Sequence, residues 1–174
     1  MSHTRGVSTP SQARRFRDPR STEYDFLRDI HVSCPRCARS TRVTPGGLDP
    51  EAGHRPAFAP RLLVCRHCGL VKATLSRRLV FLRGTTGGMT DPYFGTALRL
   101  QIETRHGWLW AYNPEHLTLI HNYVNATLRE RTPWHDTGRK MTLVARLPVW
   151  IKHAKNRDDV LRAIDRIRTS LTAD

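Results

Sequence analysis

The chain has 174 residues, of which 39% are hydrophobic and 25% are charged. This composition excludes a fully disordered protein and fits one ordinary domain or two small ones. With 29 lysine and arginine residues against 15 acidic ones, the formal net charge is +14, which favours polyanionic partners such as nucleic acid. An organism whose proteins are generally rich in arginine would give the same charge without such a partner.

Apolar runs are short throughout the chain. None approaches the about 20 residues that a membrane-spanning helix needs, and the first residues contain no stretch of signal-peptide type. We therefore expect a cytoplasmic protein with no membrane partner. Thiols stay reduced in the cytoplasm, so paired cysteines there are more often metal ligands than disulfides.

Residues 1–22 predict a disordered basic arm. Ser, Thr, Pro and Gly are frequent in it, and its arginines face only one acidic residue, Asp18. Such a segment cannot bury enough apolar surface to fold alone, but it can lie along a phosphate backbone. A flexible terminus without a function would have the same composition.

Residues 23–83 contain all the cysteines, with short runs of β-type residues beside them. Cys34 and Cys37 form one Cys-x2-Cys unit, and Cys65 and Cys68 form a second after 27 intervening residues. Two residues between thiolates let a tight turn aim both sulfurs at one ion, and two such turns complete the tetrahedron that zinc prefers. The pattern predicts a zinc ribbon that holds one structural Zn²⁺.

Two other kinds of site use the same residue types. Four cysteines can hold an iron–sulfur centre, but the strand-turn-strand setting favours zinc. A redox Cys-x-x-Cys normally occurs singly before a helix, whereas two units lie between β-type runs here. Gly69 can take the positive φ that a metal-binding turn commonly needs. Because thiolates fill all four positions of the predicted zinc, the metal has no open place for water or substrate.

Residues 84–95 predict a linker, and residues 96–174 predict a second unit. Alternating apolar residues on both sides of a glycine turn predict a β-hairpin. Asn113 and Pro114 then suit the N-cap and the first position of a helix. Apolar stripes farther along predict one or two more helices, the last with Asn156 as its cap. The predicted fold class is α+β, with a ribbon of short antiparallel strands followed by a β-hairpin and two to three helices.

Several motifs carry a resemblance to known proteins. The pairs "CPRC" and "CRHCG", flanked by short strands, resemble the zinc ribbon of general transcription factors. The text "LWAYN" and "LPxWxKxAKNR", the latter beginning at Leu147, is similar to a group of small bacterial zinc-ribbon proteins over about residues 25–171. The resemblance implies a bacterial zinc ribbon fused to a small α/β unit, and no assigned activity comes with it. Zinc ribbons serve nucleic-acid binding and protein docking alike.

Basic side chains crowd the predicted ribbon and form the first candidate nucleic-acid surface. Residues between the paired thiols project at the tip of the ribbon, where they can contact phosphates. A solvated positive rim that offsets the negative charge of a zinc–tetrathiolate centre would use the same residues. The candidate contacts are Arg36, Arg39, Arg42, Arg66, His67, Lys72, Arg77 and Arg78.

A second basic cluster lies near the C-terminus. Lys152, Lys155 and Arg157 stand close to Trp150, as in an edge that grips a nucleic-acid backbone and stacks a base on an indole. Trp150 is also a candidate for the hydrophobic core, which is the more common place for a tryptophan.

The leading functional hypothesis is a non-enzymatic zinc protein that binds DNA or RNA mainly through phosphates. The sequence contains no phosphate loop, dinucleotide fingerprint or nucleophile motif, and it identifies no small-molecule substrate. An adaptor that docks onto a transcription, replication or ribosomal machine is the second hypothesis. An enzyme with an unrecognised site is the third.

Overall fold

The computed structural model describes residues 14–47, 56–75, 79–81, 88–130 and 142–172, and it confirms an α+β fold. The strands are β1 (Arg15–Phe16), β2 (Ile30–Ser33), β3 (Ser40–Pro45), β4 (Arg61–Val64), β5 (Val71–Thr74), β6 (Leu100–Thr104), β7 (Gly107–Ala111) and β8 (Leu128–Arg129). The helices are α1 (Pro114–Asn125), α2 (Leu143–Arg146), α3 (Val149–Lys152) and α4 (Arg157–Thr172). Short 3-10 turns cover Glu23–Phe26, Pro56–Phe58 and Ala154–Asn156.

The cysteine-bearing segments form an antiparallel sheet in the order β2-β3-β4-β5. Ile30 and Val32 on β2, Val43 on β3 and Leu63 on β4 are fully buried. Because side chains alternate between the two faces of a strand, these residues share the face that packs on the core. Strand β5 lies at the outer edge, and Val71 on it is 61% exposed.

The other edge of β2 is hydrogen-bonded to the second half of the chain. The N–H of His31 donates to the carbonyl of Tyr112 at 2.7 Å, and the N–H of Ser33 donates to the carbonyl of Ala97 at 2.9 Å. The N–H of Arg99 donates back to the carbonyl of His31 at 2.9 Å. Buried side chains from both halves also form one contiguous cluster. The core therefore does not divide at the predicted linker.

The described part of that linker, residues 88–95, is packed around a buried carboxylate. Asp91 accepts hydrogen bonds from the N–H groups of Tyr93, Phe94 and Thr96 at 2.6–2.9 Å. Buried polar groups need such partners, so Asp91 holds the turn over residues 91–96 in place. Residues 84–87 lie outside the described residues.

Residues 14–22 also differ from the expectation of a disordered arm. Strand β1 pairs in parallel with β8, and Phe16 packs edge-on against Tyr123 with 5.4 Å between ring centroids. Asp18 is buried and accepts a hydrogen bond from the hydroxyl of Thr142 at 2.8 Å. The packing of Phe16 and the hydrogen bond of Asp18 hold this segment against the rest of the fold. Composition alone does not reveal such contacts. Residues 1–13 lie outside the described residues.

The β-hairpin and the first helix agree with the sequence. Strands β6 and β7 pair antiparallel, and the side chain of Asn113 accepts a hydrogen bond from the N–H of His116 at 2.9 Å as an N-cap. Asn156, expected to cap the last helix, directly precedes α4, and its amide donates to the carbonyl of Trp150 at 2.9 Å. None of the helices in the described ranges is long and apolar enough to cross a bilayer.

His116 is an ionisable residue within the core. Its ring stacks on Phe26 at 4.9 Å between centroids, and its Nδ1 accepts a hydrogen bond from the N–H of Tyr112. Burial lowers the pKa of His116 to about 3, because the charged form would lose its hydration. The imidazole is therefore neutral in the folded protein at physiological pH.

We expect His116 to make folding stability fall in acid. The unfolded chain binds a proton at this residue below about pH 6.5, whereas the folded protein does so only near pH 3. This contribution to stability is complete above about pH 6.5 and is reduced by about 3 kcal/mol at pH 4.5. Urea unfolding between pH 7.5 and 4.5 measures it, with His116→Gln for comparison. Both proteins have the same cysteines, so equal pH profiles would contradict the prediction.

Candidate metal centre

The four thiols converge at one end of the cysteine-bearing sheet. The Sγ atoms of Cys34 and Cys68 are 3.6 Å apart, those of Cys37 and Cys65 are 3.7 Å apart, and all four lie within 4.8 Å of one another. A tetrahedral zinc with Zn–S bonds of about 2.3 Å places its sulfurs about 3.8 Å apart. Disulfide sulfurs would be about 2.05 Å apart. The four cysteines therefore form a group that could hold a metal ion.

Two backbone turns of the same design present these thiols. In the first turn, the N–H of Cys34 donates to the carbonyl of Arg39, and the N–H of Ala38 donates to the carbonyl of Cys34, both at 2.8 Å. The second turn repeats both bonds, from Cys65 to Leu70 and from Gly69 to Cys65.

Both turns need a left-handed residue at the same position. Ala38 has a φ of 59° in the first turn, and Gly69 has a φ of 70° in the second. The prediction for Gly69 is confirmed. A side chain in this region places Cβ too close to the following carbonyl, so Ala38 adopts it at a cost that glycine avoids.

The local environment favours the thiolate form of at least one ligand. Burial raises the pKa of Cys34, but the N–H groups of Arg36 and Cys37 and the neighbouring thiols outweigh it and lower the pKa to about 6. The N–H of Arg36 lies 3.4 Å from the sulfur of Cys34. Metals bind the thiolate, so the lowered pKa of Cys34 favours metal binding at this turn.

The described cations of the first predicted surface surround this centre in different ways. Arg36 donates to the carbonyl of Cys68 at 3.4 Å and so joins the two turns. Arg42 on β3 lies 3.2 Å from a carboxylate oxygen of Asp29. The remaining described members are exposed at the surface, whereas Arg77 and Arg78 lie outside the described residues. The exposed members are Arg39, Arg66, His67 and Lys72.

The second predicted cluster is only partly available to a ligand. Lys152 donates to the carbonyl of Ala145 at 2.5 Å, and Arg157 donates to the carbonyl of Ala126 at 2.9 Å. These two cations therefore help to hold the helices together, while Lys155 is exposed. Trp150 is half-buried, and one of its neighbours is the ring of His106, at 5.7 Å between centroids.

The structure also contains a cavity that the sequence did not predict. Glu23 and Arg146 line a cavity together with Trp108, Trp110 and Trp150. The alternation of Trp108 and Trp110 on β7 was the available signal for its wall. Nothing in the sequence indicated Glu23, because it reaches the cavity from a distant 3-10 turn.

The chain matches no protein-family model, no curated protein and no solved structure. The resemblance to small zinc-ribbon proteins therefore stays a prediction.

We expect Gly69→Ala to destabilise the second turn. A Cβ at this position would meet no atom within 4 Å, so the effect comes from the backbone alone. A left-handed alanine costs about 1–2 kcal/mol, which should lower the melting temperature by about 2–8 °C. Thermal unfolding in the presence of zinc measures the change.

Gly47→Ala is the matched control, because its Cβ would also meet nothing within 4 Å and its φ is not positive. This variant should be as stable as the parent protein or slightly more so. Ala38→Gly should relieve the strain in the first turn and leave the stability unchanged or increased. A Gly69→Ala protein as stable as Gly47→Ala would show that the turn does not require the left-handed conformation.

Proposed function

We propose that this chain is a zinc protein that binds nucleic acid, DNA or RNA, chiefly through phosphate contacts. The cysteine group would hold one Zn²⁺, whose four positions are filled by thiolates. In this proposal the metal stabilises the turns and takes no part in a reaction. The two cysteine turns would form the tip of a zinc ribbon, and basic side chains would be exposed at this tip.

The observation that carries the proposal is the charge around the cysteine group. Arg39, Arg66 and Lys72 are exposed, and none of them forms an ion pair with a carboxylate in the described part of the chain. Among the described residues, Asp29 lies beside this sheet, and it is already close to Arg42. Clustered, exposed cations that form no ion pair in the described part of the chain favour a polyanion through counterion release.

Zinc suits the site better than an iron–sulfur cluster. The observed sulfur separations of 3.6 and 3.7 Å are close to the edge of a single-metal tetrahedron, which is about 3.8 Å. The d-electrons of zinc impose no preference for a particular coordination geometry, so zinc readily accepts four thiolates in a tetrahedron. A structural role follows from the absence of an open ligand position.

A protein-docking role is the second candidate. Val64 and Val71 lie opposite each other on β4 and β5 and are 45% and 61% exposed. Strand β5 is also the outer strand of its sheet, where a partner could pair with the backbone. An adaptor would use these apolar residues rather than the cations.

We expect the purified protein to contain about one zinc ion per chain. Cys34→Ser with Cys65→Ser removes one thiolate from each turn, so the remaining pair should no longer retain zinc through dialysis. Metal analysis by plasma mass spectrometry measures the content and identifies the element. Iron with inorganic sulfide, or no metal in the parent protein, would contradict the zinc proposal.

We expect binding to generic DNA and RNA to weaken steeply as salt rises. Arg39→Gln with Arg66→Gln should weaken binding to all sequences alike, because phosphate contacts carry no sequence information. The slope of log K against log salt should decrease by about 0.9 per lost contact on duplex DNA and about 0.7 on single strands. Fluorescence anisotropy with labelled oligonucleotides measures both.

The control is Arg166→Gln with Arg168→Gln on α4, which makes the same change in net charge outside the cysteine-bearing sheet. This protein should retain a slope close to that of the parent. Equal losses in the two double variants would show that only overall charge matters. Binding to neither DNA nor RNA at low salt would overturn the proposal and favour docking to a protein.

A further inference from the structure

A cavity of about 520 Å³ lies between the β6–β7 hairpin, α1 and the α2–α3 segment. This volume is within the range of about 300–1,000 Å³ that is typical of small-molecule sites. Aliphatic side chains form part of the lining, together with three tryptophans, two carboxylates and a guanidinium. These six residues are Trp108, Trp110, Trp150, Glu23, Glu103 and Arg146.

Strand periodicity explains the tryptophan wall. Trp108 and Trp110 alternate along β7 with Leu109 and Ala111, which are fully buried. The indoles therefore lie on the opposite face of the strand, and α3 adds Trp150. All three indoles are only partly buried, as the walls of an open cavity are.

Glu23 and Arg146 place opposite charges side by side in this cavity. The Glu23 side chain is 10% exposed, and its Oε1 accepts a hydrogen bond from the Tyr112 hydroxyl at 2.7 Å. Nη1 of Arg146 lies 3.9 Å from the other carboxylate oxygen, and 44% of the Arg146 side chain is exposed. A carboxylate accepts and a guanidinium donates several hydrogen bonds at once, so the pair offers an acceptor group beside a donor group.

We infer that this cavity binds a guanine base between its indoles. Guanine has the donors N1–H and N2–H₂ directly beside the acceptors O6 and N7, which is the complement of a carboxylate beside an arginine. Adenine has only one donor group on this edge, beside the acceptor N1, so it cannot give a carboxylate the two parallel hydrogen bonds that N1–H and N2–H₂ of guanine give. Indoles stack on any base, so Glu23 and Arg146 provide the selectivity.

An open basic cleft adjoins the cavity at Trp150 and can take the phosphate of the bound nucleotide. Arg105, His153 and Lys155 line this cleft, and Trp150 lines both spaces. Asp159 forms an ion pair with Arg105, but no carboxylate is among the described residues that line the cleft. The cleft therefore places cations beside an aromatic site for the base.

The inference deepens the proposed function by naming the base, and it rests on that function only for a base supplied by a nucleic-acid strand. A free guanine nucleotide and a guanine within a single strand present the same ring edges. Both sources are therefore compared in the test.

Tryptophan fluorescence of the full chain, titrated with GMP, AMP, CMP and UMP, tests the inference. GMP should bind at least about tenfold more tightly than the other nucleotides. Arg146→Lys keeps the charge but removes the bidentate fork, so it should weaken GMP binding by about tenfold. Arg166→Lys makes the same chemical change on α4, outside the cavity, and should leave GMP binding unchanged.

Oligouridylate with and without one central guanine identifies the source of the base. Binding of the guanine-containing strand that is at least about tenfold tighter than GMP indicates a strand, because phosphate contacts add to base recognition. Equal affinities indicate a free nucleotide. Both results support the guanine site.

Similar affinities for all four nucleotides would overturn the inference, as would Arg146→Lys with unchanged GMP affinity. Binding of trimethyl-lysine but not of GMP would show a cage for organic cations instead. The Arg39→Gln, Arg66→Gln protein separates the two proposals, since it should lose affinity for strands and keep its affinity for GMP. Strand binding without GMP binding overturns only the guanine site, and GMP binding without strand binding overturns only the proposed function.

Discussion

Backbone hydrogen bonds on both edges of β2 are the constraint on which the rest of the structure depends. Strand β3 covers one edge, and residues 97–99 together with Tyr112 cover the other. Cys34 follows β2 directly, so the first cysteine turn leaves from a strand that is fixed within the core. The cysteine group and the cavity consequently belong to one packed framework.

Buried polar groups make this framework specific. Arg61 on β4 is 1% exposed, donates to the carbonyl of Arg28 at 3.2 Å and stacks its guanidinium over Tyr93 at 4.6 Å. The hydroxyl of Tyr93 donates in turn to the carbonyl of Ala57. Removing a charge from water is unfavourable unless such partners are in place, so alternative packings of these segments are disfavoured.

The basic residues of this chain serve two different physical purposes. Cations in the two cysteine turns, such as Arg66, are exposed at the surface. Cations near α3, such as Lys152 and Arg157, donate to backbone carbonyls of other segments and so stabilise the fold. A high net charge therefore does not mean that every cation is available to a ligand. The exposed cations of the cysteine turns suit phosphate binding, whereas those bonded to backbone carbonyls do not.

The sequence by itself determined the features whose signals are local. Each Cys-x2-Cys spacing marked two thiols on one turn, and Asn113 marked the start of α1, because both signals depend on residues a few positions apart. Only the tertiary structure decided which residues hydrogen-bond to the second edge of β2 and where Phe16 packs. It also decided that Glu23 lies beside Arg146. These depend on pairs of segments far apart in the chain, whose contacts are set by packing and by the need to satisfy buried polar groups rather than by any local pattern.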